Sequence, residues 1–157
     1  MFRQTIVPIL MGLALVQCSP KPAETPPPTA AKPVGFAPNF AYDIALHIKP
    51  EAAAKVKMLT IAAKYYGLPR PETANLATAA GVIEFNTDKV EASATDQTVH
   101  MTGAGMPKAR VKDITGGSPL VQITVTDKAG LISCSVFQDY VKTAQEKPVG
   151  IWCGLKT

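Results

Sequence analysis

Cys134 and Cys153 are the first residues to weigh for chemistry, because a thiol can serve as nucleophile, metal ligand or half of a disulfide. A redox or zinc pair calls for a Cys-x-x-Cys spacing or a neighbouring histidine cluster, and neither accompanies them. In an exported domain two leftover cysteines pair with each other. A structural disulfide is therefore expected, stabilising the fold by about 3 kcal/mol in the chain-entropy account. The chain has 2 histidines, His47 and His100. "HMTGAGM", His100 to Met106, combines an imidazole with thioethers, a set that suits Cu(I). Met101 is equally where strand alternation places a core residue. Without a third ligand in reach, no metal site and no cofactor are expected. No G-x-S-x-G elbow exists, "GGSP" at Gly116–Pro119 reads as a loop, and Glu84, Asp88, Glu91 and Asp96 read as surface charge. No catalytic residue is expected, and the chain reads as a non-enzyme. The one stretch suited to recognition is "KYYGLPRP". There Tyr65 points inward, and Tyr66, Pro69 and Arg70 form a possible partner-binding surface on a loop, where binding residues concentrate.

The elements that would position these residues are mostly strands. "AYDIALHIK" alternates, with Tyr42, Ile44, Leu46 and Ile48 on one face and Asp43, Ala45, His47 and Lys49 on the other. A helical turn over Pro50–Lys55 and a strand over Lys57–Tyr66 follow, with one continuous helix as the competing reading. "GVIEF" reads as a strand closed by the turn "NTD". "QTVHMTG" and "PLVQITVTD" are two more strands. "DKAG", Asp127 to Gly130, reads as a hairpin turn into "LISCSVF", where Ile132, Cys134 and Val136 share a face. "QDYVKTAQEK" reads as a short helix stopped at Pro148. "VGIWCGL" is the last strand, with Val149, Ile151, Cys153 and Leu155 on one face and Trp152 opposite, placed in a second core layer. About seven short strands with frequent turn signals predict a mainly β fold: a single small β-sandwich, immunoglobulin-like or transthyretin-like in architecture, with one or two short helices and a disulfide staple. The two cysteines fall on the apolar faces of strands that the intervening helix returns side by side.

The N-terminal end carries a different message. Met1 to Gln4 bear one positive charge, and Thr5 to Val16, "TIVPILMGLALV", is uncharged and shorter than the roughly 20 residues a spanning helix needs. "LVQC", Leu15 to Cys18, resembles the lipobox of bacterial lipoprotein precursors, with Gln17 standing where Gly, Ala or Ser is usual. The resemblance implies that residues 1–17 are a removed signal peptide. It implies that Cys18 carries diacylglycerol on sulfur and an acyl chain on nitrogen. Ser19 in place of Asp implies the outer membrane, facing the periplasm. Each buried CH₂ contributes about 0.8 kcal/mol, so several acyl chains anchor stably. Residues 18–39 then read as a Pro/Ala-rich disordered tether, and residues 40–157 as the sandwich domain.

Bulk composition narrows the function. The 157 residues are 46% hydrophobic and 18% charged, enough to build a core, and the formal charge is +4. The basic residues are scattered, with no focused stripe of the kind nucleic acid requires. No nucleic-acid partner is expected. The expected role is a lipid-anchored cell-envelope protein with non-catalytic binding or scaffold duty. Its partners would be the membrane, through its lipid, and an envelope protein or the cell wall. The alternatives are an inhibitor of a hydrolase such as lysozyme, and a copper or small-ligand carrier.

Overall fold

Strict alternation in β1, Tyr42–Ile48, buries Tyr42, Ile44, Leu46 and Ile48 and leaves Asp43 and His47 in solvent. A computed structural model describes residues 39–157. The expected leader 1–17, the lipidation site Cys18 and nearly all of the expected tether lie outside the described residues. The chain turns out of β1 through α1, Pro50–Lys55, with Pro50 in the first turn, where its missing N–H leaves no hydrogen bond unmade. Glu51 and Lys55 sit at the helix ends that their charges favour, and Ala52 is buried. β2, Met58–Gly67, alternates as far as Gly67, where a Cβ would overlap the Ile114 side chain.

Six further strands follow among the described residues: β3 Ile83–Ser93, β4 Gln97–Met101, β5 Leu120–Thr126, β6 Ile132–Cys134, β7 Phe137–Tyr140 and β8 Val149–Leu155. A second helix, α2 Val141–Glu146, lies before β8, and short 3-10 helices occupy Pro71–Leu76, Lys108–Asp113 and Thr115–Gly117. The strands form two four-stranded sheets, ordered β4-β1-β8-β6 and β3-β2-β5-β7. Their inner faces share one core, in which Ile44, Leu46 and Ile151 of the first sheet join Leu59, Ile61 and Ile123 of the second. The protein is thus a mainly β, two-sheet sandwich, as the alternating pattern predicts. Its first and last strands pair in parallel, with Ile44 opposite Val149, Leu46 opposite Ile151 and Ile48 opposite Cys153.

Two covalent or polar links reinforce the packing. Cys134 and Cys153 face each other across the β6–β8 ladder and are bonded. The staple therefore lies within one sheet, unlike the bridge between sheets in antibody domains. The other link crosses the core. Tyr42 Oη of the first sheet lies 3.2 Å from Tyr65 Oη of the second, and Tyr65 Oη donates to Asp88 Oδ2 at 3.2 Å. A carboxylate only accepts, so the proton order is Tyr42 to Tyr65 to Asp88. Burial pushes the Tyr42 hydroxyl up to about 12, with the Asp88 charge adding to this. Burial likewise raises Tyr65, helped by Tyr42 and Asp88. The loop after β4 closes over this relay: a Cβ on Gly105 would come within 2.8 Å of the Tyr65 ring and 2.9 Å of Asp88.

Four local expectations need correction. "NTD", Asn86 to Asp88, is no turn; β3 runs through it to Ser93. Its turn-forming residues accommodate an irregularity in register instead, since Lys64 pairs with Thr87 but Tyr66 with Glu84. The displaced Asn86 N–H is satisfied by Gly105 O at 3.0 Å. "DKAG" is no hairpin, because β5 and β6 belong to different sheets. Asp127 shapes the corner by accepting from the N–H groups of Ala129 and Ile132, both at 3.0 Å. "LISCSVF" is two strands, not one: the chain changes sheets at Ser135–Val136, and Val136 is exposed. The helix expected from Gln138 begins only at Val141, because Phe137–Tyr140 pair with β5.

Two measurements follow from these links. The double variant Cys134→Ala/Cys153→Ala should lose about 3 kcal/mol of stability in urea unfolding. Thiol alkylation of unfolded but unreduced chain should modify neither cysteine. The tyrosine relay gives an alkaline signature. Tyr42 stays protonated in the fold up to about 12 while the unfolded chain ionises near the ordinary value of about 10. Below that ordinary value both states hold the proton and the contribution is constant. Between the two values the unfolded chain has shed it, so stability falls as pH rises. Tyrosinate absorbance should lag behind that of free tyrosine and then rise together with unfolding. Tyr65→Phe, which leaves the Tyr42 hydroxyl without its acceptor, should cost about 1–3 kcal/mol at neutral pH.

Candidate functional site

The outward face of β8 reads Gly150, Trp152, Gly154, an indole with bare backbone before and after it. The ring folds back over Gly150, where a Cβ would overlap its six-membered part. The parallel ladder sets His47 of β1 directly opposite Trp152. Their rings stack with centroids 5.1 Å apart and planes 18° apart. On the other side, the strand-switching residue Ser135 clamps the Trp152 backbone. Ser135 N–H donates to Trp152 O at 2.9 Å, and Trp152 N–H donates to Ser135 Oγ at 3.0 Å. The next residue along β8, Cys153, carries the disulfide. Trp152 is therefore held by backbone bonds, a covalent staple and a stacking partner, yet the residue is 62% exposed. This corrects the expectation of a second core layer: among the described residues the indole is not covered by a further apolar layer.

Beside the indole lies a shallow groove of about 390 Å³, whose walls include His47, Lys49, Asp96, Ser133 and Trp152. Gly154 belongs to its lining, and the aliphatic stem of Lys49 runs along that glycine, its Cδ 3.3 Å from where a Cβ would stand. Lys49 is tied down by its own N–H, which donates to Cys153 O at 3.0 Å. Asp96 is oriented by Ile48 N–H, which donates to its Oδ1 at 2.7 Å. The groove thus offers one large aromatic surface, one cation, one carboxylate and a hydroxyl, all on regular strands or bonded to them.

The residues singled out from sequence are dispersed by the fold. In "HMTGAGM", Met101 and Met106 are buried while His100 is exposed and its Nδ1 sits 2.8 Å from Asp43 Oδ1. The imidazole and the thioethers lie on opposite sides of β4. Gly103 and Gly105 in that loop serve close packing, against Phe40 and against Tyr65 respectively. Tyr65 is fully buried, as expected. Tyr66 is half-buried beside Lys64, Glu84, Gln122 and Gln138, its hydroxyl without a hydrogen-bond partner among the described residues. Pro69 bridges to Ile114, and Arg70 Nε donates to Ile114 O at 3.1 Å. Pro69 and Arg70 clip one loop to another. Among the described residues, no group of three or more His, Cys, Asp or Glu side chains is placed to hold a metal. No described helix is long and apolar enough to cross a membrane.

The His47–Trp152 pair escaped sequence reasoning because it depends on which strands are neighbours. A signal was present all the same. A strand whose outward positions are Gly, Trp, Gly leaves the indole nothing of its own to pack against, whereas a second core layer would call for apolar side chains on both flanks. Comparison with family models, with curated proteins and with solved structures finds no match for this chain.

Trp152 is the single tryptophan of the chain, so intrinsic fluorescence reports on this groove alone. Emission should lie at long wavelength and be quenched freely by acrylamide. Gly150→Val, which displaces the ring from its seat, should change the intensity while the thermal transition moves little. Short-wavelength emission resistant to quenching would place the ring in a core.

Proposed function

We propose that this chain is a lipid-anchored cell-envelope protein that acts by binding, and that it binds through the His47–Trp152 face. The observation that carries the reading is the exposed, immobilised Trp152. A large apolar side chain left in solvent on a rigid support is unfavourable for solubility and is the kind of anchor that binding surfaces use. Preorganisation on regular strands lowers the entropy lost on association. The envelope assignment is supported by "LVQC" at Leu15–Cys18 and by the Cys134–Cys153 bond, since disulfides persist in oxidising compartments. Ser19 after Cys18 favours the outer membrane, with the domain in the periplasm at the end of a proline-rich leash.

Two substitutions separate anchor from binding face. Cys18→Ser should move the protein from the membrane to the soluble fraction. Continued sedimentation with membranes, with unchanged gel mobility, would refute lipidation. Trp152→Ala in the otherwise intact chain should keep the protein at the membrane but reduce the envelope material crosslinked to it by about tenfold, the effect of losing one buried aromatic anchor. A stoichiometric hydrolase among the crosslinked material would make the protein an inhibitor.

A further inference from the structure

We propose that the occupant of the His47–Trp152 groove is a pyranose ring of the cell-wall glycan, a claim that rests on the envelope-binding reading above and names its ligand. A pyranose presents a face of C–H bonds and an equatorial girdle of hydroxyls. Its binding site needs an aromatic surface for the first and mixed donors and acceptors at the edge for the second. Trp152, a residue 62% exposed, supplies the aromatic surface. Lys49 supplies a donor, Asp96 an acceptor, and Ser133 either, all lining the same groove. Gly154, also in that lining, has the flexible aliphatic stem of Lys49 beside it, which can give way to a ring.

The charge balance points the same way. Lys49 and Asp96 carry opposite charges, so the groove favours neither an anion nor a cation and suits a neutral polyhydroxylated ligand. The volume of about 390 Å³ lies at the small end of the range of about 300–1,000 Å³ typical of small-ligand sites. The groove is shallow and open rather than a closed pocket, which fits a ring within a polymer better than an engulfed monomer. A protein partner of ordinary affinity would need a surface of about 800 Å² per side with a continuous apolar centre, whereas here Ile48 and Leu155 alternate with Lys49, Asp96 and Ser133 in one small groove.

The test uses the full chain. Soluble β-1,4-linked N-acetylglucosamine oligomers are titrated while Trp152 emission is read, and purified cell-wall sacculi are used in co-sedimentation. Expected are a saturable change in emission, absent with glycerol at equal concentration, and pelleting with sacculi. Trp152→Ala should weaken pelleting by about tenfold. Gly154→Leu fills the groove but keeps the fluorophore and should abolish the oligomer-induced change; its Cβ meets only the flexible stem of Lys49, so folding survives, as an unchanged thermal transition would verify. Response to oligomers without pelleting would assign the groove to soluble sugars and overturn the cell-wall claim. No response to either probe, with Trp152→Ala still stripping crosslinked envelope material, would overturn the glycan and leave the binding face standing. Unchanged crosslinking in Trp152→Ala would remove both.

Discussion

The parallel ladder between β1 and β8 is the constraint on which the rest of the molecule depends. It joins the first strand of the domain to the last, with Ile44 beside Val149 and Ile48 beside Cys153. Parallel neighbours cannot be linked by a tight turn. Everything between them, including the whole second sheet, is in effect the crossover. Once this pairing is made, β4 has an edge on one side of β1, and β6 has an edge on the other side of β8. The outer face of the sheet then acquires its character from which side chains the register sets abreast: Ala45 with Gly150, and His47 with Trp152.

Around that ladder the two reinforcing links divide the work. The disulfide ties β6, a strand of only 3 residues, to β8, where few ladder bonds are available to hold it. The Tyr42–Tyr65–Asp88 relay fixes how the two sheets sit against each other. Apolar packing alone is non-directional and tolerates small slides. A chain of hydrogen bonds crossing the core does not, because any displacement would leave a buried hydroxyl unsatisfied. The disulfide lies on β6 and β8 and Tyr42 on β1, strands that line the outer groove, so rigidity and recognition share these parts of the fold.

The groove also shows why a small β domain can expose a tryptophan without losing order. Ser135 holds its backbone, Gly150 seats its ring and His47 stacks on it. The side chain gains enough local contact to stay in place while keeping most of its surface available. The same sheet edge carries the disulfide, so the site is stiffened where a ligand would bear on it.

Much of this was legible in the residues. Alternation located β1, β2, β4, β5 and β8 and their buried faces, because one wet and one dry face is a local property of a strand. Pro50 and the alanines after it marked α1, and Cys134 and Cys153 marked the staple. The errors came where the chain leaves one sheet for the other. "DKAG" and "NTD" have the composition of turns, but composition does not say whether a bend returns the chain to the same sheet, carries it to the opposite one, or is absorbed as an irregularity within a strand. "LISCSVF" keeps its alternation across Ser135, so the change of sheet is invisible to period. Trp152 was correctly placed opposite Cys153, but its neighbour was not, since His47 lies far away in the chain. The sequence by itself determined the strands, their inner faces and the cysteine pair, all consequences of local period and residue chemistry. The tertiary structure alone decided strand order and the parallel β1–β8 register, because long-range pairing is selected by the packing of both sheets at once, and with it the site.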